Sequence, residues 1–105
     1  MLAHTYLATT DKDFMKQTVW KYPLTVADQT ILMPPNAQIL CVLRQGMGAC
    51  LWAQVVPGDP VKVPLVPRRF VIVGTGQELP ETPSLWYVGT FQWDAFVCHV
   101  FERDA

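Results

Sequence analysis

The stretch "RRFVIVGTGQELP", Arg68 to Pro80, decides between two architectures. An apolar run ending in Gly74-Thr75-Gly76 could be the first strand and phosphate-binding turn of a dinucleotide domain, or simply a β-strand and its exit turn. The dinucleotide fingerprint needs G-x-G-x-x-G opening a helix, because the helix amino terminus supplies the amides and the dipole that hold pyrophosphate. Here Gly76 is followed by "QELPETPSLW", where Pro80 and Pro83 leave no room for a useful helix and no third glycine follows. No Gly-Lys-Ser or Gly-Lys-Thr exists either, which removes the phosphate loop of nucleoside triphosphatases. The stretch therefore reads as a strand and a turn with a glycine at positive φ. The alternative is a loop that contacts a ligand.

The rest of the chain follows the same pattern. Short runs rich in Val, Ile, Leu and aromatics alternate with turn chemistry, which predicts strands at 18–22, 29–33, 38–44, 50–56, 61–66, 69–73, 85–90 and 96–102. No window sustains the i, i+3, i+4, i+7 spacing of an amphipathic helix, and nine prolines break the chain throughout. The runs "ILCVL" and "FVCHVF" are apolar on both faces, as strands inside a sandwich, a barrel or an interface would be. "VKVPLVP" carries Pro64 and Pro67, which removes ladder donors and points to an edge strand. The expected fold is all-β, a two-sheet antiparallel sandwich of about seven or eight short strands, with a small β-barrel as the alternative. Residues 1–14 read as a flexible arm and 15–105 as a single domain.

Composition narrows the function. The chain has 105 residues, 50% hydrophobic and only 16% charged, so few charges are available to cover a small body. Apolar patches left outside imply a partner, and a homo-oligomer is expected. A net charge of −1 argues against counterion-driven nucleic-acid binding. No run reaches the length of a membrane helix. The start "MLAHTYLATTDK" lacks the basic and apolar regions of a signal peptide, so Cys41, Cys50 and Cys98 are expected to be reduced in a cytoplasm.

Catalytic sets are not apparent. Cys98 and His99 are adjacent in a predicted strand, so they point to opposite faces and cannot act together as nucleophile and base. With His4 and His99 isolated, no zinc spacing exists and no cofactor is expected. His99 reads as a core or interface histidine with a satisfied hydrogen bond. Ser84, the only serine, lacks a G-x-S-x-G setting. Around the hairpin turn "RQGMG", pairing Arg44 with Ala49 sets Cys41 opposite Trp52 and Cys50 opposite Leu43; both thiols read as small hydrophobes.

Candidate binding residues come from the opening stretch and from the tryptophans. Arg68 and Arg69 leave a strand on opposite faces, one to cover the sheet and one to meet solvent or a partner. "VGTGQ" at Val73–Gln77 is echoed by "VGTFQ" at Val88–Gln92. Were these strands antiparallel neighbours, the two Gly-Thr pairs would lie at opposite edges of the sheet and could meet only through an oligomer or a folded-over sheet; otherwise they read as two separate bulges or strand exits. Trp20 and Trp52 read as core. Trp86 and Trp93 lie near loops, where an aromatic can anchor a partner or stack on a flat ligand. The expected binding surface is Arg68, Arg69, Gly74, Thr75, Gly76, Trp86 and Trp93.

The segments "TVWKYPL", "MPPNAQIL", "CLWAQV", "RRFVIVGTG", "YVGTFQ" and "FVCHVFE" resemble, in order, a family of small proteins encoded by bacteriophages and prophages, over Met15 to Glu102. The resemblance carries no catalytic residue. It implies a setting in the cytoplasm of a bacterial host and a non-enzymatic accessory role, such as an anti-defence inhibitor that binds a host defence protein or sequesters a nucleotide-like small molecule. A structural or assembly module of a phage particle, or an enzyme with an unmarked site, are the alternative roles.

Overall fold

The computed structural model of the protein describes residues 16–58 and 61–105. The expected arm, residues 1–14, lies outside the described residues. Among the described residues seven strands form: β1 (Thr18–Leu24), β2 (Asp28–Met33), β3 (Gln38–Gln45), β4 (Gly48–Val55), β5 (Val66–Gly74), β6 (Leu85–Trp93) and β7 (Phe96–Arg103). They make two antiparallel sheets, one in the order β1-β4-β3 and the other in the order β2-β5-β7-β6. The fold is a two-sheet all-β sandwich. It is not a closed barrel, because the sheets remain separate and β1, β3, β2 and β6 end them.

The strand expected at 61–66 does not form; only Val66 is extended, as the first residue of β5. Pro64 lacks an N–H, and the stretch before it turns instead of pairing. The same proline effect that suggested an edge strand removes the strand altogether. In the hairpin β3–β4 the register is as the sequence implied, with Cys41 opposite Trp52, Leu43 opposite Cys50 and Arg44 opposite Ala49. Gly46, at φ 58°, and Met47 make the tip.

The core lies between the sheets. Alternation sends Leu51, Ala53 and Val55 of β4 inward with Val42 of β3, against Phe70 of β5, Phe91 of β6 and Val100 of β7, and Met33 closes the end of β2. Phe70, Met33, Leu51, Val55 and Val100 are fully buried. Burying side chains of this size contributes roughly 1.5–3 kcal/mol each against the entropy of ordering the chain. Val71 and Val73 are also buried although they face outward, so β5 is covered on both faces, as its unbroken apolar run suggested.

Trp20 and Trp52 are not core residues. Trp20 faces inward beside Ala53 but on the edge strand β1, and it stays 39% exposed. Trp52 lies on the outer face, half-buried, with Lys21 Nζ 5.7 Å from its ring centre.

Candidate functional site

All the turns at one end of the sandwich are short: β1–β2 at residues 25–27, β3–β4 at Gly46 and Met47, and β6–β7 at Asp94 and Ala95. The exit of β5 joins them there. Gly74 accepts at its carbonyl from the Gln77 N–H at 3.0 Å, closing a four-residue turn, and Gly76 at its third position has φ 90°. That is the geometry of a type II turn, which requires positive φ at this position. The Gln77 side chain folds back so that its Oε1 accepts from the Gly74 N–H at 2.8 Å. The Gly-Thr-Gly segment is therefore a self-closed turn, with no helix behind it.

The turn aims Thr75 at His99. Thr75 Oγ1 lies 2.7 Å from His99 Nε2, and its amide donates to the Val97 carbonyl at 3.2 Å. On the other side of the ring, His99 Nδ1 lies 3.0 Å from Thr90 Oγ1, which is 2.6 Å from the Tyr87 hydroxyl. The two Gly-Thr echoes thus meet on one histidine within a single chain. They are not the two separate bulges or strand exits expected, and the requirement for an oligomer or a folded-over sheet assumed neighbouring antiparallel strands. In the sheet, β7 lies between β5 and β6 and is antiparallel to both, so β5 and β6 run the same way and deliver Thr75 and Thr90 to the same end.

Tyr87, Thr90, His99 and Thr75 form a continuous hydroxyl–imidazole chain across the outer face of the four-stranded sheet. With Nε2 protonated, the hydroxyls of Tyr87 and Thr90 can donate along the chain into Nδ1 while Nε2–H donates to Thr75. Sequence reasoning treated His99 as an isolated histidine, because its partners, Thr90 on β6 and Thr75 in the turn after β5, lie 9 and 24 residues away.

Between the sheets at the same end lies an apolar cleft of about 420 Å³. Leu24, Ile72, Phe91, Trp93 and Cys98 line its depth, and Val26 and Met47 its mouth. A second hollow of about 550 Å³ adjoins it through Ile72 and Cys98, and runs under Gly74, Thr75, Gln77, Phe96 and Val97. Both volumes fall in the range of small-ligand sites. Met47 is 83% and Phe96 71% exposed, so large apolar side chains stand at the rims. Arg44 lies over the Trp93 ring at 5.7 Å and pairs with Asp94 at 3.5 Å, so opposite charges meet beside the cleft.

Of the expected binding residues, Gly74 and Thr75 line the second hollow and Trp93 the first, and Gly76 completes the turn beside them. The others lie elsewhere. Arg68 turns between the sheets and donates from Nε and Nη2 to both Glu102 oxygens at 2.7 and 2.8 Å, with Nη1 on the Ala37 carbonyl. These hydrogen bonds, then the Glu102 charge, hold its guanidinium firmly in the charged form against partial burial. Arg69 turns outward to Asp28, whose carboxyl is held below its ordinary range by the guanidinium's hydrogen bonds. Trp86 is 56% exposed and pairs across β7's Glu102, toward the end of the strand away from the turns.

Met47, Phe96 and Phe91 were not among the expected residues. Met47 could have been noticed as a large apolar residue at a hairpin tip, and Phe96 as one directly after a turn. Phe91 could not, since its place under the cleft depends on the facing sheet.

Among the described residues no group of three His, Cys, Asp or Glu could hold a metal ion. No curated protein and no solved structure matches the chain. A family model does match it over residues 15–105, a span that includes all seven strands, and the chain belongs to the family described as Domain of unknown function (DUF7352).

Proposed function

We propose that the protein is a non-enzymatic binding module that receives a protein partner at the turn end of its sandwich. The observation that carries this reading is the apolar cleft between the sheets, with exposed Met47 at its mouth and exposed Phe96 on the hollow that adjoins it through Ile72 and Cys98. Exposed apolar side chains around an apolar hollow supply the hydrophobic centre of a protein contact. With Arg44 and Asp94 neutralising each other beside it, the fitting counterpart is an uncharged loop that inserts an aromatic or aliphatic side chain. The resemblance to phage and prophage proteins supports an accessory role in a bacterial cytoplasm, with a host defence component as the partner.

A photo-crosslinking residue placed at Met47 tests the reading, with the same residue at Gln54, on the outer face of β4 away from the turn end, as comparison. Adducts of one defined protein from position 47 and none from 54, lost in a variant carrying Phe96→Glu, are expected. Equal adducts from both positions, or none from 47, would refute it.

A further inference from the structure

Four strands end the two sheets, and three of them carry features that discourage further pairing. β3 has a bulge where its register slips between Ile39 and Cys41, β6 has one between Tyr87 and Gly89, and β2 is six residues long and opens with the ion-paired Asp28. β1 differs: its register with β4 is unbroken over all seven residues. It is also apolar and, among the described residues, uncovered, with Val19 52% and Trp20 39% exposed. Its only charge, Lys21, is drawn back over its own sheet, with Nζ on Gln45 Oε1 at 3.0 Å and over the Trp52 ring.

The direction of the free main-chain groups follows from Pro23. Pro23 has no N–H, and its carbonyl accepts from Gln29 Nε2 at 3.1 Å instead of serving β4. In an antiparallel strand the N–H and C=O of one residue point the same way, and alternate residues point oppositely. Val19, Lys21 and Pro23 therefore turn their main-chain groups away from β4, and Thr18, Trp20, Tyr22 and Leu24 turn theirs toward it. The open part of the edge is the N–H and C=O of Val19 and of Lys21.

We propose that β1 pairs antiparallel with β1 of a second copy about a two-fold axis at Trp20, joining two three-stranded sheets into one of six strands. This register follows from the open groups. Val19 of each copy faces Lys21 of the other as a hydrogen-bonded pair, exchanging two main-chain bonds, and Trp20 faces Trp20 as the close, non-hydrogen-bonded pair. Pro23 ends the pairing on each side, since it has no donor and its carbonyl is occupied. The charge pattern agrees: Lys21 lies opposite Val19 and not opposite the other Lys21. The two Trp20 rings, on the inner face where the facing sheet leaves them exposed, cover each other. The surface is distinct from the turn-end cleft, so this inference does not depend on the partner-binding reading.

The experiment uses the full chain. Sedimentation velocity over a rising concentration series is expected to show the mass doubling for the wild type. Val19→Pro removes an outward N–H while leaving the β1–β4 ladder intact; it is expected to weaken self-association by about tenfold or more, since two main-chain bonds are lost across the axis. Trp20→Cys is expected to give a disulfide-linked dimer on mild oxidation, because facing residues of that pair type sit about 4.5 Å apart at Cα, within disulfide reach. Val19→Cys, diagonal to its own copy at about 7–8 Å, is expected not to do so. The native cysteines are controlled by oxidising the wild type in parallel. A wild type that stays monomeric throughout, or a Val19→Cys chain that links as readily as Trp20→Cys, would overturn the proposal.

Discussion

Val42 on β3 packs directly over Gly89 on β6: a Cβ at Gly89 would stand 2.7 Å from Val42 Cγ1. The two residues lie where β3 and β6 of the facing sheets approach each other across the core. The glycine of the second Gly-Thr echo is thus required by close approach between sheets, whereas Gly76 in the first is required by backbone conformation. Gly89→Ala is expected to destabilise the protein by about 1–3 kcal/mol through overpacking, measured by urea denaturation. Adding Val42→Ala should recover part of the loss, so that the double variant is more stable than the sum of the singles.

Gly76 gives the contrasting case. Nothing lies within 4 Å of a Cβ there, but φ is 90°. Gly76→Ala is expected to cost about 1–2 kcal/mol from backbone strain alone. At Gly74, with ordinary φ, the nearest atoms belong to the flexible Gln77 side chain at 3.3 Å. Gly74→Ala should therefore cost less, and the difference in thermal midpoint between the two variants checks the turn type.

Arg68 and Glu102 form a two-pronged pair, 21% and 18% exposed at the side chain. Removing one partner leaves the other charge half-buried without its hydrogen bonds. Arg68→Ala alone is expected to cost about 2–3 kcal/mol, and adding Glu102→Ala to cost little more. Additive losses in that double-mutant cycle would show that the pair is not coupled.

The outward pair Arg69–Asp28 should appear in the acid limb of stability. Hydrogen bonds from Arg69 lower the folded-state pKa of Asp28. A depressed carboxylate adds stability that is fully present above the unfolded value, about 3.9, and is lost as pH falls through the lower folded value. Asp28→Asn is therefore expected to be less stable than the wild type at neutral pH, and the gap should close on acidification. Denaturation midpoints at several pH values read this out. The same sign applies to Asp104, lowered by its hydrogen bond from Thr82.

The hydroxyl–imidazole chain gives a spectroscopic expectation. If Thr75 and Thr90 hold the two ring nitrogens of His99, Thr75→Val and Thr90→Val should each change the tautomer balance, seen as opposite shifts of the imidazole 15N resonances. Identical spectra for wild type and both variants would show that the ring is not held by these hydroxyls.

How much of this was legible beforehand depends on the reach of each interaction. Pro80 and Pro83 behind Gly76 removed a helix from consideration, and alternation placed Arg68 and Arg69 on opposite faces. Two residues of tight turn between β3 and β4 fixed which side chains Cys41 and Cys50 face. Those are local constraints of sterics and pleat, acting over a few residues, and the chain carries them in its own order. The strand expected at 61–66 failed where two local effects compete, because a proline that lowers a strand's pairing can also prevent it.

Strand order is different in kind. Nothing near Gly74 states that β7 will lie between β5 and β6, since that follows from β5–β7 pairings between residues 24 to 34 positions apart and from which arrangement buries Phe70, Leu51 and Val100 together. That order brought Thr75 and Thr90 to His99, opened the cleft above Phe91, drew Arg68 inward to Glu102 and left β1 with a free edge. The sequence by itself determined an all-β chain, its turn chemistry and the facing of each side chain within its strand, because these depend on neighbours along the backbone. The tertiary structure alone decided which faces and ends meet, because burial and ladder pairing are satisfied only by residues distant along the chain.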